Sequence, residues 1–205
     1  MRIEAKRHVA TAARQQAILD GALACFAELG VEGTTIDDIR RRADASVGSI
    51  YHHFGSKEGV AAALYLHGIQ RYQAGLGAAV ERARDARSAV RAIVLFHLDW
   101  ATKNVELARY LLQMRRAEAT ASVDQDVRDA NRDVFERLSK RLEKFVAKGD
   151  IAELPRELYA PLIIGPTQEV VRAWLNGRIA TDPRKLRDKL AEAAWQSVQP
   201  RRPAP

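Results

Sequence analysis

The punctuation between Gly30 and Ser56 constrains this chain most. Upstream, Ile18, Ala22, Cys25, Phe26 and Leu29 recur at spacings of three and four, so one face of a helix from about His8 to Leu29 is apolar. Gly30 follows where a helix ends in a left-handed residue. Thr35 then stands before Ile36 with Asp38 three places on, a capping box with Asp where Glu is usual. That predicts a short helix over Ile36–Ala43. Asp44-Ala45-Ser46 reads as a turn, with Ser46 capping a second short helix over Val47–Phe54. Gly55-Ser56 breaks again, and Ser56 caps a long helix from Lys57 to about Arg84. Two short helices joined by a tight turn behind a longer one are the organisation of a helix-turn-helix.

Ile36, Ile39, Ala43, Val47, Ile50 and Phe54 are expected to share one small core with Phe26 and Leu64. That leaves Gly48, Ser49, Tyr51, His52 and His53 outward. A solvated face is normally filled with Lys and Glu, and this one has neither. Glycine allows close approach of a backbone, while hydroxyls and imidazoles reach phosphates and base edges. Cys25, on or beside the apolar stripe, is expected to be a small buried hydrophobe.

These residues carry a family resemblance. The run Gln16-Ala17-Ile18-Leu19, then Phe26-Ala27-Glu28-Leu29-Gly30, Gly33-Thr34-Thr35-Ile36-Asp37-Asp38-Ile39 and Ser46-Val47-Gly48-Ser49-Ile50-Tyr51-His52-His53-Phe54-Gly55-Ser56-Lys57-Glu58-Gly59 resembles the DNA-binding domain of the tetracycline-repressor (TetR) family. The likeness covers about residues 12–66; beyond it only the helix pattern is similar. It implies DNA contacts from Thr35, Ser46, Gly48, Ser49, Tyr51, His52, His53 and Lys57. Ser46 would hold a phosphate at the recognition-helix N-terminus. Gly48 and Ser49 would face the major groove, Tyr51 and His53 would anchor the backbone, His52 would approach bases, and Lys57 would meet a phosphate. The sequence departs from the family at Arg40, usually alanine, at Asp44, usually glycine, and at Ala45, usually a larger aliphatic. Asp tolerates the left-handed region better than most residues, so the turn can survive. The run Arg40-Arg41-Arg42 is either a solvated face or a backbone clamp.

Downstream, helix follows helix: about Ser88–Lys103, Val105–Arg116, a segment ending near Lys148 before Gly149, about Arg156–Gly177 with Pro161 and Pro166 inside, and about Arg184–Val198. Val127, Val134, Leu138, Leu142 and Phe145 stripe the segment that ends near Lys148, the seventh helix of the chain. The expectation is an all-α chain of about nine helices. A DNA-binding domain would span 8–66, with the helix-turn-helix at about 35–54. A helical effector-binding and dimerisation domain would span 67–199, and a disordered tail 200–205. The resemblance implies a small effector bound between the fourth, fifth, seventh and eighth helices. Phe96, His97, Trp100, Tyr110, Met114 and Tyr159 are candidate lining, although aromatics and Met at helical spacing equally describe a core. It also implies that the last two helices pair across a twofold axis, with Leu162, Val170, Trp174, Leu190 and Ala194 as candidate interface residues.

Charge adds little. The net charge is +7, yet residues 1–57 hold eight Lys and Arg against seven Asp and Glu, so the excess is spread rather than gathered in a patch. No run approaches the roughly 20 apolar residues of a membrane span. One cysteine forms no internal disulfide, and the opening MRIEAKRHVA has no apolar signal core, so a cytoplasmic chain is expected. No cofactor or metal is expected: five scattered His and one Cys make no zinc cluster, and adjacent His52 and His53 diverge on a helix and cannot converge on one ion. No nucleophile elbow, phosphate loop or HExxH pattern suggests an enzyme. The expected function is a sequence-specific DNA-binding regulator: a homodimeric repressor on an inverted-repeat operator in double-stranded DNA, released by a small-molecule effector. The alternative is a helical interaction module that has lost DNA binding.

Overall fold

In the computed structural model of the chain, backbone is described for residues 2–118 and 125–200, and side chains for 10–114 and 136–200. The expected tail, apart from Pro200, lies outside the described residues, as do the side chains of Val127 and Val134. Among the described residues there are nine α-helices and no strand: α1 Arg2–Gly33, α2 Ile36–Ala43, α3 Val47–Phe54, α4 Lys57–Glu81, α5 Ala86–Lys103, α6 Val105–Glu118, α7 Gln125–Ala147, α8 Arg156–Leu175 and α9 Arg187–Val198. A 3-10 turn, Pro183–Leu186, leads into α9, with the Asp182 carboxylate accepting from Arg184 N–H.

The chain divides into two compact units. The first holds residues 1–68 with 109–121, the second residues 69–108 with 122–205. The division at Gly68 is near the expected boundary, but the return of 109–121 to the first unit has no linker signal in the sequence.

In the first unit, α1 starts earlier than expected, at Arg2, and breaks at Gly30 (φ 74°). The Thr34 hydroxyl donates to the Gly30 carbonyl at 2.7 Å, occupying an acceptor the helix end leaves open. Thr35 and Asp38 form the expected capping box. Ser46 accepts from Ser49 N–H at 3.1 Å, and Ser56 from Gly59 N–H at 3.0 Å. Asp44 adopts φ 47°, ψ 50°, the left-handed turn anticipated for it. Arg14 on α1 donates to the Asp44 carbonyl at 3.1 Å. Ile39 and Ile50 are fully buried, with Phe26 and Leu64 beside them in the buried set. Each isoleucine contributes about 1.5–3 kcal/mol of burial. Val47 does not join this core: it is 42% exposed, and Ala45 in the turn is buried instead. Val47 is the first residue of α3, so no earlier turn of that helix covers it.

In the second unit, α5 turns Val90, Ile93, Val94 and Leu98 inward, and packs on α8 and α9. Ion pairs Arg87–Glu192 and Arg91–Asp188, both 2.7 Å, and Arg187–Asp99 at 2.8 Å join α5 to the α9 side. Such solvent-exposed pairs contribute at most about 1 kcal/mol each. Helix α8 carries Pro161 and Pro166 without a break. Proline at 166 cannot donate back to Leu162, and the Ser197 hydroxyl of α9 reaches that carbonyl at 3.3 Å. Ala194, expected at a dimer interface, is instead 2% exposed within its own unit, because α9 packs on α5 and α8 and buries Ala191 and Ala194.

One steric demand fixes the entry to α4. A Cβ on Gly59 would lie 1.9 Å from the Phe54 carbonyl oxygen, whereas one on Gly48 would meet nothing within 4 Å. Gly59→Ala should therefore cost about 1–3 kcal/mol in urea unfolding. Gly48→Ala should stabilise by about 0.5–1 kcal/mol. Equal behaviour of the two variants would contradict this geometry.

Candidate nucleic-acid interface and ligand cavity

The helix-turn-helix residues fall into two sets. The first set is exposed. Tyr51 is 51% exposed, and His52, Gly48 and Ser46 are exposed with it. Val47 shares the Tyr51 face one turn earlier, which makes it a missed candidate: an exposed β-branched methyl pair suits a thymine methyl in the major groove. The signal was available, since Val47 and Tyr51 are four apart, but the residue reads as core by hydrophobicity alone. His53 and Ser49 are half-buried. The His52 and His53 rings meet edge-on at 5.0 Å, and His53 stands edge-on to Phe54 at 6.1 Å.

The second set has its polar groups engaged. The Thr35 hydroxyl donates to Asp38 at 2.6 Å and accepts from its N–H at 3.2 Å, so it is occupied by capping. Those bonds to Thr35, ahead of the Arg41 charge, hold the Asp38 carboxyl below the usual range. Lys57 Nζ donates to the Glu32 carbonyl at 3.1 Å, using one of three ammonium donors. Arg40 pairs with Asp37 at 2.7 Å, Arg41 with Asp38 at 2.7 Å, and Arg42 with Glu28 at 2.5 Å. In this structure the arginine run is an ion-paired, solvated surface. Cys25 is buried, and burial pushes its thiol up, as a small hydrophobe requires.

The second unit contains a cavity of about 780 Å³. Its wall comes from α4, α5, α7 and α8, with Tyr72, Leu76, Ile93, Leu142 and Ile163 among the lining. Of the six residues expected there, Tyr159 lines it. Tyr110 does not: it is buried in the first unit, stacked on Phe26 at 5.7 Å, and its hydroxyl donates to the Ala61 carbonyl at 2.7 Å. Met114 also belongs to the first unit. The first unit draws α6 residues into its own core, which helical spacing alone does not reveal. Phe96 and Trp100 pack against Tyr72 at 5.4 and 5.1 Å, and line a separate shallow groove. His97 sits edge-on to Tyr72, whose hydroxyl is 2.9 Å from its Nδ1. Sequence reasoning missed Tyr72 itself, around which three of the expected residues gather.

Comparison with known proteins bears on the helix-turn-helix and on the fold. Residues 18–64 match the family model for bacterial regulatory proteins, tetR family. The HTH-type transcriptional regulator BetI of Burkholderia ambifaria is 27% identical over 175 residues, spanning 83% of this chain and 84% of that protein. The HTH-type transcriptional repressor AcnR of Corynebacterium glutamicum is 48% identical over 50 residues, 24% of this chain and 27% of that protein. Among solved structures, the transcriptional regulator FadR of Bacillus subtilis, in complex with stearoyl-CoA, shares the fold. Its TM-score is 0.77 at 19% identity, over 90% of this chain and 99% of that one.

The half-buried Tyr72–His97 pair gives a pH dependence. Burial pushes His97 down to about 4 from an ordinary 6.5. Between those values the unfolded chain binds the proton and the folded one does not. The contribution is therefore complete above about pH 6.5 and is lost as pH falls toward about 4, by up to about 3 kcal/mol. In urea titrations across that window, His97→Gln should lose less stability than the wild type. Equal losses would show that His97 does not carry this term.

Proposed function

The chain belongs to the TetR family of bacterial regulatory proteins, and we propose that this helix-turn-helix regulator is a homodimeric repressor that leaves its operator when a small molecule fills the cavity of the second unit. The observation that carries the reading is the outward face of α3. Gly48, Tyr51 and His52 are exposed there, beside Val47, on a helix that lacks Lys and Glu. An eight-residue helix is about 12 Å long and reads only a few base pairs, so useful specificity needs a second copy. Twofold pairing then calls for an inverted repeat with half-sites roughly 34 Å or more apart. Half-buried Leu162, Val170, Trp174 and Leu190 on α8 and α9 are the proposed pairing surface. Ser46, Ser49, His53 and Thr35 are proposed as supporting DNA contacts, with Thr35 subordinate because its hydroxyl is engaged. Helix α4 carries both Lys57, at its start, and Tyr72 of the cavity wall, and is the proposed route from ligand to DNA.

Gel shifts with duplex DNA from upstream of the protein's own gene test the interface. Tyr51→Ala and Lys57→Ala should each weaken binding by about 1–3 kcal/mol. Loss of Lys57 should also lower the salt slope by about one. Gly48→Ala should weaken DNA binding although the protein itself is more stable. Unchanged affinity in all three variants would remove α3 from the DNA.

Assembly is tested separately. Val170→Asp places a charge at the proposed seam, costing several kcal/mol if buried unpaired. Sedimentation should show a wild-type dimer and a monomeric variant. A wild-type monomer that still binds operator tightly would overturn the dimeric reading.

A further inference from the structure

We infer that the cavity of the second unit takes an organic cation with a bulky apolar body, an assignment that rests on reading this cavity as the effector site. Three features of the wall lead there. The interior is hydrocarbon: Leu76, Ile93, Leu142, Val146 and Ile163 come from four helices, and about 780 Å³ is within the range of pockets that hold drug-sized ligands. A small hydrophilic ion would leave that surface without a partner.

The aromatic groups offer rings rather than hydroxyls. Tyr72 and Tyr159 both line the cavity. The Tyr72 hydroxyl is engaged with His97. The Tyr159 hydroxyl donates to the Ala152 carbonyl and accepts from Leu154 N–H, both at 3.0 Å. With those hydroxyls engaged, the electron-rich ring faces are what remains for a ligand, and such faces attract cations.

The charged groups that line the cavity are exposed to solvent, and their balance favours a cation. Glu143 of α7, Glu153 of the connecting segment and Glu157 of α8 all line the cavity, against a single cation, Arg156, among the described lining residues. None of the three carboxylates is ion-paired among the described residues. An anionic headgroup would meet three carboxylates and one guanidinium. His97, half-buried beside Tyr72, adds no positive charge near neutral pH. In the sequence these glutamates are scattered among many others; the fold gathers them at one cavity.

Calorimetry on the full chain near neutral pH, below micelle formation, compares three probes with one tail: decylammonium, decanol and decanoate. Decylammonium should bind at least about tenfold tighter than decanol, with decanoate weakest. The triple variant E143Q/E153Q/E157Q should bring decylammonium to the level of decanol and leave decanol unchanged. High salt should shrink the same preference. Decanoate binding as tightly as decylammonium, or a preference that survives the triple variant, overturns the cationic assignment while leaving the effector site in place. The fillers Ala160→Trp and Ser139→Trp, one from each facing helix, should weaken all binding. If no probe binds, or if binding survives both fillers, the effector-site reading falls and the assignment falls with it.

Discussion

Two helices of eight residues are too short to hold themselves together in water, since helix nucleation is costly and each adds few hydrogen bonds. Their existence here depends on docking against α1. A Cβ on Gly21 would meet Ala43 Cβ at 2.9 Å and its backbone nitrogen at 3.1 Å, so α1 and α2 cross nearly backbone to backbone. That approach brings Ile39 and Ile50 to complete burial, and Arg14 and Arg42 tie the same helices together from the outside. Every feature of the proposed DNA-facing surface is downstream of this contact. With α2 fixed, the left-handed Asp44 and the Ser46 cap leave α3 a defined exit direction.

The same economy decides which charges are available to a phosphate backbone. Sequence alone leaves Arg40-Arg41-Arg42 as either solvated face or clamp. In the structure each arginine has an acidic partner, two of them within the same helix. Exposed pairs of this kind are weak, about 0–1 kcal/mol, so DNA can exchange them at small cost. The firm part of the surface is neutral and shaped: a glycine, a valine and a tyrosine on one side of a capped helix. Backbone contacts position such a surface, and base-edge contacts specify it.

What was legible in the sequence was local. Thr35, Ser46 and Ser56 announce three helix starts because a hydroxyl cap acts within three residues. Gly30, Asp44 and Gly149 mark left-handed residues for reasons of backbone sterics. The family resemblance rests on this same local punctuation. What was not legible required the third dimension. Val47 fits the apolar period of α3 yet lies where no neighbouring turn covers it. Tyr110 has the spacing of a pocket residue but stacks on Phe26, far away in sequence. Ala194 reads as interface and is core. Tyr72, which organises Phe96, His97 and Trp100, stood unnoticed in a helix rich in alanine and glycine. The glutamates at the cavity come from a helix end, a connecting segment and a helix start.

On the proposed reading, α3 enters a DNA groove twice, from two copies related by a twofold axis. Selection of binding sequences from a pool of fully randomised duplexes, using the purified full chain, tests it most directly, because it presumes no operator. Enrichment of one inverted repeat is expected, with its half-sites about one helical turn or a little more apart. Final rounds that are no richer in any sequence than the starting pool would contradict it, as would enrichment of a single unrepeated half-site.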